Sequence, residues 1–103
     1  MLNILVTKYT FMLDFNQTLK GLDGQEVKDE KSEAITLGKM LAGQLAFSNK
    51  GDALKLFNWA QKMYNGEPLE LDKSDEATLK TFVKDNEQLT ILAKAQLLSV
   101  FKD

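Results

Sequence analysis

The stretch TLGKMLAGQLAFSNKGDALKLFNWAQKMYNG, residues 36–66, decides how the rest of the chain is read. Leu37, Met40, Leu41 and Leu45 recur at spacings of three and four, the period of one helix face. Thr36 ahead of them is a residue type that caps a helix N-terminus through its side-chain oxygen. Ala42, Ala46 and Phe47 widen the stripe. After the turn Asn49-Lys50-Gly51, Asp52 opens a second helix, where its oxygen caps and its charge suits the positive helix end. The inward set of that helix reads as Ala53, Leu56, Phe57, Ala60, Met63 and Tyr64. Asn65-Gly66 then supplies a left-handed stop. The pattern predicts a helical hairpin.

Two features of this hairpin are not explained by the stripes. Gly38 and Gly43 each cost about 0.8–1 kcal/mol against Ala inside a helix. Their presence points to close approach of another backbone, either within the domain or from a second copy. Trp59 is the only tryptophan and falls off the inward set, near Lys55 and Lys62. A large aromatic there either closes a second edge of the core or anchors a partner.

Towards the C-terminus, Glu67-Pro68-Leu69-Glu70-Leu71 reads as an extended linker, because Pro68 blocks helix continuation. Leu69 and Leu71 point the same way, and the carboxylates of Glu67, Glu70 and Asp72 read as solvated. Ser74 is the expected N-cap of a third helix that buries Leu79, Phe82 and Val83 and turns Lys80 and Lys84 to solvent. A fourth helix is expected over 88–101. Leu89, Ile91, Leu92, Ala95, Leu97, Leu98, Val100 and Phe101 spread around nearly its whole circumference, which calls for burial on most sides. It is therefore either a central core helix or a subunit contact, and Leu97, Val100 and Phe101 are the candidate contact residues.

Towards the N-terminus, residues 2–15 alternate with period two, as strands do. Leu2, Ile4 and Val6 share one face, and Tyr9, Phe11, Leu13 and Phe15 take the opposite phase. This is one bent strand or two short ones; alternatively, it is an apolar strand that pairs with another chain. Residues 16–35 are polar. Asp23-Gly24 suits a two-residue type I′ turn, which predicts a small hairpin over 18–22 and 25–29. The run Lys28-Asp29-Glu30-Lys31-Ser32-Glu33 reads as a solvated loop. No internal repeat or low-complexity tract is evident.

Composition bounds the chemistry. A chain of 103 residues fits one domain, and 44% apolar residues can build a core. The formal charge of −2 gives no long-range attraction to nucleic acid or an anionic membrane. The chain has no Cys and no His, and every one of its basic residues is Lys. The usual ligands of zinc, copper, haem and iron–sulfur centres are therefore missing, as are Ser-His and Cys-His pairs. Without Arg there is no bidentate fork for phosphate or guanine. The acidic residues from Asp23 to Glu33 do not follow calcium-loop spacing, and Gly21-Leu22-Asp23-Gly24 lacks the spacing and Lys-Ser/Thr of a phosphate loop. No catalytic, cofactor-binding or metal-binding residue is nominated. No segment approaches the ~20 apolar residues of a membrane span, and no secretory leader pattern is visible.

Four blocks together resemble a family of small uncharacterised proteins encoded in bacteriophage and prophage genomes. They are the Gly21-Leu22-Asp23-Gly24 hairpin, Thr36-Leu37-Gly38 opening a helix, GDALKLFNWAQKMYNGE at 51–67 and LTILAKAQLL at 89–98. The resemblance spans residues 18–101. It implies a phage-derived protein acting in the cytoplasm of a bacterial host or in particle assembly, and it carries no activity to transfer.

The expectation is an α+β fold of one domain. A β-rich segment, 1–35, contributes a hairpin or short antiparallel strands, followed by a compact four-helix unit over 36–103. The expected function is a non-enzymatic interaction protein without cofactor. It self-associates through the N-terminal strand or the C-terminal helix, or binds a phage or host protein. The candidate contacts are Trp59, Gly38, Gly43, Leu97, Val100 and Phe101. The alternative is a nucleic-acid accessory protein of phage replication or recombination, which requires Lys39, Lys50, Lys55, Lys62, Lys80, Lys84 and Lys94 to gather on one face.

Overall fold

The computed structural model describes residues 10–101. Their order is β1 (Thr10–Leu13), α1 (Leu37–Ala46), α2 (Ala53–Tyr64), β2 (Leu69–Asp72), α3 (Lys73–Asp85) and α4 (Ile91–Val100). The fold is α+β, with a two-stranded antiparallel sheet and four helices among the described residues. Of the strand expected over residues 2–15, the part up to residue 9 lies outside the described residues, and β1 is the part that is described.

The sheet is not a local hairpin. β1 pairs with β2 in the register Thr10↔Asp72 to Leu13↔Leu69, so the segment expected to be a linker is the second strand. Leu69 and Leu71 do point together into the core, with Glu70 outward. Asp72, not Ser74, caps α3: its carboxylate accepts from the Asp75 amide. The strand passes into the helix without a loop, so the last strand residue is the one placed to cap. The caps expected at Thr36 and Asp52 are present, accepting from the amides of Lys39 and Lys55. Gly66 has φ +78° and its amide donates to Met63, which ends α2 as expected. α4 begins at Ile91 rather than at residue 88, with Thr90 as its cap.

The hairpin expected over 18–22 and 25–29 is present, with Lys20 bridged to Glu26, and it is the first part of a larger unit over residues 17–37. The Leu19 amide donates to the Ile35 carbonyl (2.7 Å), Ile35 to Val27 (3.0 Å), and Val27 back to Leu19 (2.9 Å), closing a ring of three backbone bonds. The amides of Gly21, Asp29 and Leu37 form an equivalent outer set with the carbonyls of Gln25, Glu33 and Gln17, each at 2.8 Å. Equivalent positions are eight residues apart. The left-handed residues of the two turns, Gly24 (φ +82°) and Ser32 (φ +67°), share that spacing. The expectation of no internal repeat is thus corrected. So is the type I′ turn, since only Gly24 of the pair has positive φ: the loop is Leu22-Asp23-Gly24, a three-residue turn with its left-handed residue last. The solvated loop expected at 28–33 is exposed throughout and forms the second such turn. Gln96 of α4 holds this unit to the helices, its side chain accepting from the Lys20 amide (2.9 Å) and donating to the Lys20 carbonyl (2.6 Å).

One core joins all elements. It contains Leu13, Phe15 and Leu19 from the N-terminal part, Leu41 and Leu45 of α1, Leu56 and Met63 of α2, Leu69 and Leu71 of β2, Leu79 and Val83 of α3, and Leu97 of α4. Phe15 meets Phe101 edge-on at 5.6 Å between ring centres, an arrangement favoured by the ring quadrupole. Among the described residues no buried side-chain nitrogen or oxygen lacks a hydrogen-bond partner. No described helix is long and apolar enough to cross a membrane.

Candidate interaction surface

The six nominated contact residues do not form a surface. Trp59 is 5% exposed and belongs to the core, as do Leu97, Val100 and Phe101. Leu97 faces inward, and the C-terminal helix is buried along Ala93, Leu97 and Val100. The expected inward set of α2 is rotated: Leu56, Trp59, Ala60 and Met63 face the core, while Ala53, Phe57 and Tyr64 are exposed. Indole burial removes more apolar area from water than a benzyl or phenol ring does, so the core takes Trp59 and turns the smaller rings out.

The two glycines separate in role. Gly38 is buried, and its amide donates to Phe15 at 2.8 Å. A Cβ there would sit 2.8 Å from the Met63 carbonyl oxygen and 3.2 Å from that of Phe15. The close backbone approach is therefore between α1, the end of α2 and the segment after β1. Gly43 has no such reason: an added Cβ would meet nothing within 4 Å.

Gly43 instead lies in an open groove of about 340 Å³ between α1 and α2. Ala42, Gly43, Ala46 and Ala60 form the low part of this groove, and Phe47, Phe57 and Tyr64 line it. Leu54, Phe57, Gln61 and Tyr64 follow one another at helical spacing along the outer face of α2. Phe47 is 88% exposed, Leu54 83%, Phe57 55% and Tyr64 58%. Rings of this kind bury about 150–250 Å² each, so the exposed aromatic surface alone is on the order of 300–500 Å². The largest apolar patch of a monomer is typically about 300–600 Å² and is often functional.

The patch is also nearly free of charge. Leu54, Phe57, Gln61 and Tyr64 carry none, while the exposed Lys55 and Lys62 lie along the flank of α2, in a chain that is 27% charged. Lys39 is the one charged residue of the groove, and its ammonium lies 5.1 Å from the Tyr64 ring centre. Depletion of charge with retention of aromatics is the composition of an interface centre. The sequence signal was the width of the apolar arc on α2, which holds more large side chains than one inward stripe needs.

Other open grooves of about 450, 580 and 870 Å³ lie around the turn between α1 and α2 and between α2 and α3, and Met12, Leu22 and Ile91 are also exposed. Lys55 pairs with Asp75 at 2.8 Å and lies 6.0 Å from the Trp59 ring centre. The Asp75 hydrogen bond and charge hold the Lys55 ammonium above its ordinary pKa of 10.5. Lys94 donates to the Lys84 carbonyl at 3.0 Å. The lysines named above thus sit on different elements, several already engaged. Among the described residues no group of three acidic side chains is placed to hold a metal ion. No family model matches the chain, and no curated protein or solved structure matches it.

Proposed function

We propose that the chain is a small non-enzymatic interaction protein, encoded by a phage or prophage and acting in the cytoplasm of the bacterial host. Its contact face is the outer side of the α1–α2 hairpin. The observation that carries this reading is the exposure of Phe47, Phe57 and Tyr64 around a groove whose charged lining residue, among those described, is Lys39, with the exposed Leu54 next to Phe57 on the same helix face. Exposed large side chains on a small domain leave its marginal stability open to gain from a partner that covers them. The phage origin rests on the resemblance over residues 18–101. The absence of His and Cys supports a binding role over catalysis, since these residues supply most acid–base and nucleophilic centres.

A photo-reactive residue at Gln61, introduced in the protein expressed in bacteria, tests the reading. Gln61 adjoins the groove, whereas Glu30 lies on the second turn of the 17–37 unit. The expected result is a protein adduct from position 61 that Phe57→Lys abolishes, with none from position 30. Adducts to nucleic acid, or none at all from position 61, would remove it.

A further inference from the structure

We infer that the occupant of the α1–α2 face is the same face of a second copy, packed about a two-fold axis. The inference rests on the reading of that face as a contact surface and names its partner. Three properties of the patch lead to it.

The first is shape. A two-fold contact presents one patch to itself, so the patch must carry both projections and hollows. This one does. Phe57 and Tyr64 stand out from α2, beside a trough lined by the small residues Ala42, Gly43, Ala46 and Ala60. At Gly43, which has no side chain, the space above is empty. Inverting a second copy sets the α2 ridge of each into the trough of the other. A folding role for Gly43 is not in competition, since no neighbour requires a glycine there.

The second is charge. Two copies of a charged patch repel, whereas this patch brings Gln61, Asn58 and Asn65 as neutral hydrogen-bonding groups, with the exposed Lys62 beyond them on α2. Its one ammonium, Lys39, is already placed on the Tyr64 ring, a position that accommodates a cation at the rim. A partner of strongly acidic or basic character finds no counter-charge here. A second copy needs none.

The third is area. The aromatic surface of on the order of 300–500 Å², with Leu54 beside it, is about half of the roughly 800 Å² per partner of a standard stable interface. That size suits a weak, transient dimer, not an obligate one. In such a dimer α1 and α2 of each copy form a four-helix layer whose apolar middle is shared.

Sedimentation velocity of the full chain across the micromolar range, with circular dichroism to confirm folding, tests this. Two variants attack the two halves of the shape argument separately. Phe57→Lys replaces a projection at a position already 55% exposed. Gly43→Leu fills the hollow where the structure has room, and its helix propensity favours α1. The expected result is a concentration-dependent dimer for the unaltered chain. Each variant remains folded and dimerises at least about tenfold more weakly, as loss of a central contact does. Gly43→Leu does so while raising the thermal midpoint of the monomer, which separates loss of association from loss of fold. A monomer at every concentration would overturn the inference, as would a dimer that neither variant weakens. If the unaltered chain stays monomeric while Gln61 still yields an adduct to a different protein, the second copy is excluded and the contact face stands. If Gln61 yields no adduct and the chain is monomeric, both fall.

Discussion

Residues 17–37 and the α1–α2 hairpin hold together by different means. The first unit has a ring of backbone bonds through Leu19, Val27 and Ile35, with only Leu19 fully inside and Val27 and Ile35 half-buried against the core. The hairpin is held by Leu41, Leu45, Leu56, Trp59 and Met63 and by one backbone approach at Gly38. The difference shows how a short chain spends few apolar residues. A closed ring satisfies its own amides and carbonyls without an edge that needs covering. Large side chains are then left for the helices, with enough over to line an outer face.

Breaking each unit in its own terms sharpens the comparison. The largest effect is expected at Leu41, which has no exposed surface: Leu41→Ala costs about 2–5 kcal/mol through lost burial and the cavity left behind. Gly38→Ala follows, at about 1–3 kcal/mol, since both atoms facing the new methyl group are backbone oxygens that move only with their elements. Denaturant titration measures both.

In the 17–37 unit the order of harm reverses. Val27→Ala removes half-buried methyl groups and costs about 1 kcal/mol. Val27→Pro removes the amide that donates to Leu19, and costs about 1–3 kcal/mol for the unpaired carbonyl, on top of the misfit of the ring. If the alanine variant proved the more damaging, side-chain packing rather than the backbone ring would hold this unit.

Gly43→Ala tests the hairpin in the other direction. With space above it and a helical backbone, the change is expected to stabilise the monomer by about 0.8–1 kcal/mol.

The smallest effect concerns the Lys55–Asp75 pair, which ties α2 to α3 at the surface. The folded pKa of Lys55 is raised, so the contribution of the pair is complete below the unfolded value and is lost as pH rises through the folded one. Its window therefore lies above about pH 10.5. Asp75→Asn is expected to bring the Lys55 titration, followed by NMR, back down toward that value. An unmoved titration would mean that the pair does not persist in solution.

Much of the helical part was legible in the residues. Thr36 and Asp52 cap because their side chains bond amides three residues on, an interaction complete within one turn. Gly66 stops α2 for an equally local reason. The 17–37 ring was harder to read. Its signal is an eight-residue spacing of Leu19, Val27 and Ile35 in which the residues between them differ, and its bonds run between segments that only the closed chain brings together. The strand at 69–72 was hidden because its partner lies near the other end of the chain, at 10–13.

The candidate surface divides in the same way. The sequence by itself determined that α2 would be a helix rich in apolar side chains, and that no His or Cys would furnish a reactive centre. Only the tertiary structure decided which of those side chains face inward. Helical period sets the angles between Leu56, Phe57, Trp59 and Tyr64. The rotation of the helix about its own axis is set by what packs against it, and here the core takes Trp59 and leaves Phe57 and Tyr64 outside. Likewise two glycines in one helix looked alike. The neighbouring backbone of Met63 gives Gly38 a structural reason, and the open groove gives Gly43 a different one.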